Sequence, residues 1–247
     1  MLIGPQNLAE NVRAVRERIA AAAAECGRSA DSVTIVAASK AQPLTAIHAA
    51  ARLGIAHFGE SYLQEALQKL AQAAGDTSAA GSRTDAGAGG RLTWHFIGQL
   101  QANKTRPIAE HFDWVHSVDR LRLAQRLSAQ RPYYAAPLNV CIQVNVAGEA
   151  SKAGAAPQDV QALVAAAAAL PRLHVRGLMC LPPVEDAPAR QRHWFSELRH
   201  LFEELNSQGA SLDTLSMGMS ADLEAAVLEG ATLVRVGTAL FGPRPDH

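Results

Sequence analysis

The sequence predicts an α/β protein, a single (β/α)8 TIM barrel with an extra N-terminal helix. Three observations support this. The chain has 247 residues, close to the roughly 250 of such a barrel. Short apolar runs alternate with helical patterns along it, the signature of a parallel sheet. Counting the run at Val33, eight strand-like segments can be read. Length alone also permits two small domains, and alternation alone an open doubly wound sheet. Eight strands behind a leading helix favour closure, as one domain over residues 1–247.

From Asn7 to about Cys26, Leu8, Val12, Val15, Ile19 and Ala22 recur at three- and four-residue spacing. They give an opening helix one apolar stripe, and Gly27 ends it. Val33–Ala38 is short, apolar and rich in β-branched residues, so it reads as a buried strand, and Pro43 opens the next helix. Further strands are expected at Ile55–Phe58, Trp94–Ile97, Trp114–His116, Asn139–Val144, Val175–Leu178, Thr214–Leu215 and Leu233–Val236. Helical patterns fall between them at Ala102–His111, Arg120–Arg131, Pro157–Ala169, Ala189–Gln208 and Ala221–Glu229. Gly75–Arg91 breaks the rule. It is rich in small and polar residues without apolar periodicity, and reads as a mobile surface loop, either a tolerated insertion or a lid.

Composition narrows the partners. Hydrophobic residues make up 48% and charged residues 19%, as in ordinary globular proteins. Lys plus Arg equals Asp plus Glu at 23 each, so no net field recruits nucleic acid or an anionic membrane. Small molecules are the expected partners. Cys26, Cys141 and Cys180 lack the spacing of metal or redox pairs, and two of them lie in apolar runs. No stretch approaches the roughly 20 apolar residues of a membrane span, and the opening residues mix acids and bases unlike a targeting segment. A reduced, cytoplasmic setting is expected.

Lys40 ends the run VTIVAASK, where alternation puts Thr34, Val36, Ala38 and Lys40 on one face. Barrel chemistry collects at the C-terminal ends of strands. A lysine entering that mouth over Ala38 and Ser39 is partly desolvated, which lowers its pKa and frees the amine for Schiff-base formation with an aldehyde. A lysine that snorkels to solvent explains the same position.

At the other end of the chain, LVRVGTALFG runs from the last strand into Gly237–Thr238. Barrels often hold a phosphate between the loops after strands seven and eight. Gly237 permits close backbone approach, Thr238 adds a hydroxyl, and SMGMS at Ser216–Ser220 brings Met217, Gly218 and two hydroxyls to the same edge. Together these form a candidate phosphate cup. Alternatively, Ser220 caps a helix beginning near Ala221 and Gly237 marks a tight turn. Arg235 points into the barrel by alternation and must find an acceptor there, either a pyridine nitrogen or an acid on a neighbouring strand.

These motifs resemble the pyridoxal phosphate (PLP) homeostasis protein family, single-domain relatives of the alanine racemase and ornithine decarboxylase barrels. The resemblance spans nearly the whole chain. It is carried by VAASKAQP around Lys40, HFGESYLQE at His57–Glu65, WHFIGQLQANK at Trp94–Lys104, VHSVDRLRLAQRL, VRGLMCLPP at Val175–Pro183 and the two C-terminal motifs. It implies PLP bound as a Schiff base on Lys40, phosphate contacts from Ser216, Met217, Gly237 and Thr238, and Arg235 beside the pyridine nitrogen. It further implies a role in holding, delivering or buffering PLP, with PLP-dependent apo-enzymes as recipients and no established catalytic residue. The chain departs from the family pattern at Ser61, where Asn is usual, at Ala102, where Ser is usual, and at Ala41–Gln42, where TK is common.

His57, His95, His111 and His116 fall on different elements without the i,i+4 spacing of a helical metal pair, so no metal is expected; His95 is a candidate for the border of the cofactor mouth. A monomer is expected. The chain ends at His247, directly after the phosphate motif. A racemase's further domain, with its second base, is therefore not expected. The competing functions are a slow PLP-dependent racemase, a lysine aldolase without PLP, and a pure interaction module.

Overall fold

The computed structural model describes residues 5–79, 91–149 and 152–243. Among the described residues, eight strands pair in chain order, all parallel: β1 (Thr34–Ala38), β2 (His57–Glu60), β3 (Thr93–Phe96), β4 (Trp114–Val118), β5 (Leu138–Val144), β6 (Leu173–Cys180), β7 (Thr214–Ser216) and β8 (Leu233–Val236). Pairing of β1 with β8, in register Thr34↔Leu233 to Ala37↔Val236, closes the barrel. Closure removes both sheet edges, so no strand is left as a template for aggregation. The helices are α1 (Pro5–Glu25), α2 (Leu44–Arg52), α3 (Leu63–Ala79), α4 (Thr105–His111), α5 (Leu121–Gln130), α6 (Val160–Ala168), α7 (Pro188–Ser207), α8 (Leu223–Leu228) and α9 (Thr238–Phe241).

The strands read as continuous apolar runs because helices cover their outer face while side chains fill the inner one. Outward residues such as Ala37, Phe58, Val115, Val140 and Val234 join the helix faces in one large core. Inside the barrel a separate cluster of Val36, Trp114, Cys141, Met179 and Leu233 packs around the axis. Cys141 and Cys180 are buried, whereas Cys26 is exposed.

The expected opening helix buries its predicted stripe, Leu8, Val12, Val15, Ile19 and Ala22. It crosses the end of the chain, where Asn11 Nδ2 donates to Leu240 O at 2.8 Å. Arg18 reaches Glu224 through two bonds of 2.6 and 2.7 Å and Ser220 O at 2.9 Å. The leading helix therefore braces the β7 and β8 loops.

Three expectations need correction. The second strand begins at His57, because Ile55 N still donates to Ala50 O at 3.2 Å in the exit turn of α2, where Gly54 sits at φ +82. Residues 102–104 form a tight 3-10 turn ahead of α4. The expected loop at Gly75–Arg91 starts too early. Residues 75–79 are helical and complete α3, whose Leu63, Ala66, Leu67, Leu70 and Ala73 pack at helical spacing. Residues 80–90 lie outside the described residues. No helix among the described residues is long and apolar enough to cross a membrane.

Candidate functional site

The turn after β1 carries Lys40, half-buried at the C-terminal rim of the barrel. A buried charge network lies beneath it. Lys69, from α3, donates to Ser39 O at 2.7 Å and to Glu60 Oε1 at 2.8 Å, and it pairs with Glu65. Ser39 Oγ donates to the same Glu60 oxygen at 2.7 Å. Burial pushes the Glu60 carboxyl above its ordinary range, and the Lys69 bonds only partly offset this. Ala41 takes φ +60, a costly conformation for a residue with a side chain, and its N–H donates to Glu65 Oε1 at 2.7 Å. Three acids and bases from β2 and α3 thus fix the backbone on both sides of Lys40. None of the three was given a role from the sequence, because the network joins a strand to a helix and no spacing rule links Glu60 to Lys69 across them.

Arg235 enters the barrel from β8, as alternation predicts, and is only 5% exposed. Its Nη1 donates to Ser216 O at 2.7 Å and Ser216 Oγ at 2.8 Å, and its Nη2 donates to Cys180 O at 2.9 Å. The ion-pair alternative fails: among the described residues no carboxylate lies within 4.0 Å of Arg235. A buried guanidinium held only by neutral oxygens keeps its field for an acceptor that enters the site.

The β7 and β8 loops meet as expected. Gly237 lies against the β1 strand, where an added Cβ would come 3.4 Å from both Ala38 Cβ and Ala38 O. This places the Gly237–Thr238 turn beside the strand that ends in Lys40. Gly218 takes φ +90, and a Cβ there would meet Ala226 Cβ at 2.4 Å, so glycine is required. Ser220 does not cap α8. That helix starts at Leu223, with Asp222 Oδ1 accepting from Met219 N at 2.5 Å. Ser220 Oγ instead accepts from Ala239 N at 3.1 Å, stitching the two loops together. Met217 N is committed to Leu233 O at 3.1 Å. The Ser216 hydroxyl is committed to Arg235 and His116 rather than to Gly237 or Thr238.

His95 does not border the mouth. It is fully buried in the barrel, and it joins two other histidines in a line. His57 Nδ1 lies 2.9 Å from His95 Nε2, His95 Nδ1 lies 2.8 Å from His116 Nε2, and His116 Nδ1 lies 2.8 Å from Ser216 Oγ. Burial lowers all three pKa values, that of His116 to about 3, with Arg235 as its second cause. The rings are therefore neutral. The signal was present in HFGE, WHFIG and WVHSV: each histidine is inward on one of three consecutive strands, and barrel stagger brings inward residues of neighbouring strands together. No group of metal-binding side chains occurs among the described residues, and His111 is exposed at the end of α4.

The opposite, N-terminal mouth holds a cavity of about 650 Å³ lined by His57, Arg91, Asp113, Trp114, Arg176 and Asp213 among others. Its arginines are paired. Arg176 bonds Asp213 at 2.6–3.0 Å and lies 5.0 Å from the Trp114 ring centre, and Arg91 bonds Asp113 at 2.6 Å.

Residues 3–245 match the family described as "Alanine racemase, N-terminal domain". A relative from Pseudomonas aeruginosa, named pyridoxal phosphate homeostasis protein, is 54% identical over 96% of this chain and 96% of its own length. One from Escherichia coli strain K12, with the same name, is 45% identical over 96% and 97%. The solved structure of PipY from Synechococcus elongatus with PLP bound is 37% identical, with a TM-score of 0.76 over 92% of this chain and 100% of its own.

Proposed function

The chain belongs to the alanine racemase N-terminal-domain family and, within it, to the pyridoxal phosphate homeostasis proteins; on that premise we propose that it carries and buffers PLP without catalytic turnover. The observation that carries this reading is Arg235, a buried cation with no carboxylate within 4.0 Å among the described residues, on the strand that pairs with the strand leading to Lys40. Lys40 supplies the amine for covalent attachment. Gly237 and Thr238 receive the phosphate with Ser216 and Met217 beside them, and Arg235 faces the ring nitrogen. When bound, PLP supplies an aldehyde and an electron-withdrawing ring. Arg235 cannot lose its proton, so it donates to the ring nitrogen and disfavours its protonation, which weakens electron withdrawal and suits holding over turnover.

Delivery to apo-enzymes is supported by the rim. Tyr62, Leu181, Val184 and Met219 are exposed large apolar side chains, and all four lie on loops that follow the C-terminal ends of strands. The protein acts as a cytoplasmic monomer, one domain over residues 1–247.

The test is spectroscopic. The purified protein incubated with PLP develops a visible band that borohydride bleaches, and peptide mass mapping finds the reduced adduct on Lys40. Lys40→Ala abolishes both. An adduct on another lysine, or none, refutes the site. Racemisation of an amino acid faster than roughly 1 s⁻¹, the low end of ordinary enzymes, refutes the carrier role.

A further inference from the structure

We propose that His57, His95, His116 and Ser216 form one proton-relay line through the barrel, so that the proton arrangement beside Arg235 is set together with that at the opposite mouth. The line crosses β2, β3, β4 and β7, and its three contacts are 2.8–2.9 Å long. His95, His116 and Ser216 are fully buried. A barrel interior needs no imidazoles for packing, and burying polar groups costs free energy unless each is bonded.

Arg235 can only donate to Ser216 Oγ, so in the free chain the serine proton goes to His116 Nδ1. A neutral ring has one donor and one acceptor. His116 therefore carries its proton on Nε2 and gives it to His95 Nδ1, and His95 gives its Nε2 proton to His57 Nδ1. His57 is left with its Nε2 proton. The reverse polarity has all three protons on Nδ1, with the serine hydroxyl aimed at another acceptor.

Passage between the two leaves every ring neutral at its start and end, each ring holding a second proton only in transit. Starting from the reverse polarity, water protonates His57 Nε2 and the His57 Nδ1 proton moves to His95 Nε2. The His95 Nδ1 proton then moves to His116 Nε2, and the His116 Nδ1 proton to Ser216 Oγ, whose own proton leaves to a water molecule at the C-terminal mouth. One proton enters, one leaves, and every ring ends neutral. Neutrality agrees with the lowered pKa values.

Charged groups flank both ends. Arg91, Asp113, Arg176 and Asp213 share the N-terminal cavity with His57. His95 stacks on Trp114 with ring centres 5.4 Å apart, and Arg235 faces His116. The Cys141 and Cys180 thiols, both pushed up to about 12 by burial, stay uncharged near Arg235.

That this line serves a bound ring nitrogen rests on the proposed function; the relay itself belongs to the free chain and is tested there. Nitrogen NMR of the uncomplexed protein near neutral pH should show all three rings as neutral Nε2–H tautomers. Their buried protons should exchange with heavy water through His57. His57→Phe should then slow exchange at His95 and His116 by roughly tenfold or more, even though it strands the His95 Nε2–H and lowers the unfolding midpoint. His57→Gln, whose amide oxygen can still accept that bond, should slow exchange alike with a smaller loss of stability. A purely structural line predicts no change in exchange. Mixed tautomers in the wild-type protein, or exchange at His116 indifferent to both variants, would overturn the relay whether or not PLP binds.

Discussion

The two mouths of the barrel use charge in opposite ways. Around the N-terminal cavity, Arg91 and Arg176 each meet a carboxylate, and the pairs face water. At the C-terminal mouth the charges are buried: Lys69 with Glu60 under the Lys40 turn, and Arg235 with no carboxylate within 4.0 Å among the described residues. Exposed pairs gain little because water and salt screen them. Buried charges lose their hydration and depend wholly on the partners the fold provides. The N-terminal cavity is thus electrostatically self-satisfied, and the end with unmet demand is where a ligand has most to offer.

The sharpest way to break this contrast is Lys69→Met. It strands Glu60 in the interior, and removing one partner of a buried pair costs about 3–5 kcal/mol. Urea denaturation should show a loss of that size. A loss near zero would mean that the two mouths do not differ.

Next in size is Arg235→Gln. Losing a charge-assisted bond of about 1.5–3 kcal/mol should weaken PLP retention by roughly tenfold to a hundredfold, read by equilibrium dialysis. Arg176→Ala is the matching change at the other mouth. It should leave PLP retention unaltered and cost about 0–1 kcal/mol of stability. Equal effects on retention would erase the distinction.

The smallest effect concerns pH. Glu60 has a raised folded-state pKa, so the fold binds its proton more tightly than the unfolded chain does. That contribution is full below the ordinary carboxylate range and is lost as pH rises through the folded value. Asp213 runs the other way. Partial burial pushes it up, but bonds from Arg176 and Thr214 outweigh burial and lower its pKa. Its contribution is present above the ordinary range and lost as pH falls through the folded value. Comparing wild type with Glu60→Gln across mildly acidic pH should show wild type losing ground to the variant as pH rises. The Asp213→Asn comparison should show the opposite slope.

The barrel was legible because buried parallel strands need apolar runs on both faces, and Val33–Ala38, Asn139–Val144 and Leu233–Val236 announce themselves. Boundaries moved where a backbone bond decided the matter, as at Ile55. The shared location of the Lys40 turn and the Gly237–Thr238 turn was legible because strand-end position and glycine punctuation are local signals. The histidine line could not be found by a search for helical metal spacing. Its members are 38 and 21 residues apart, and only the stagger of the closed sheet brings them together. Lys69 escaped for a similar reason, since nothing within α3 shows that its one lysine points into a strand end.

One feature of the core has a practical use. With the Cys141 and Cys180 thiols buried and protonated up to about 12, neither offers a thiolate to an electrophile at working pH. Cys26, exposed where α1 ends, remains as a natural handle. A maleimide dye attached there sits outside the barrel and tests, by fluorescence and with no engineered substitution, whether PLP-dependent apo-enzymes meet this protein at all.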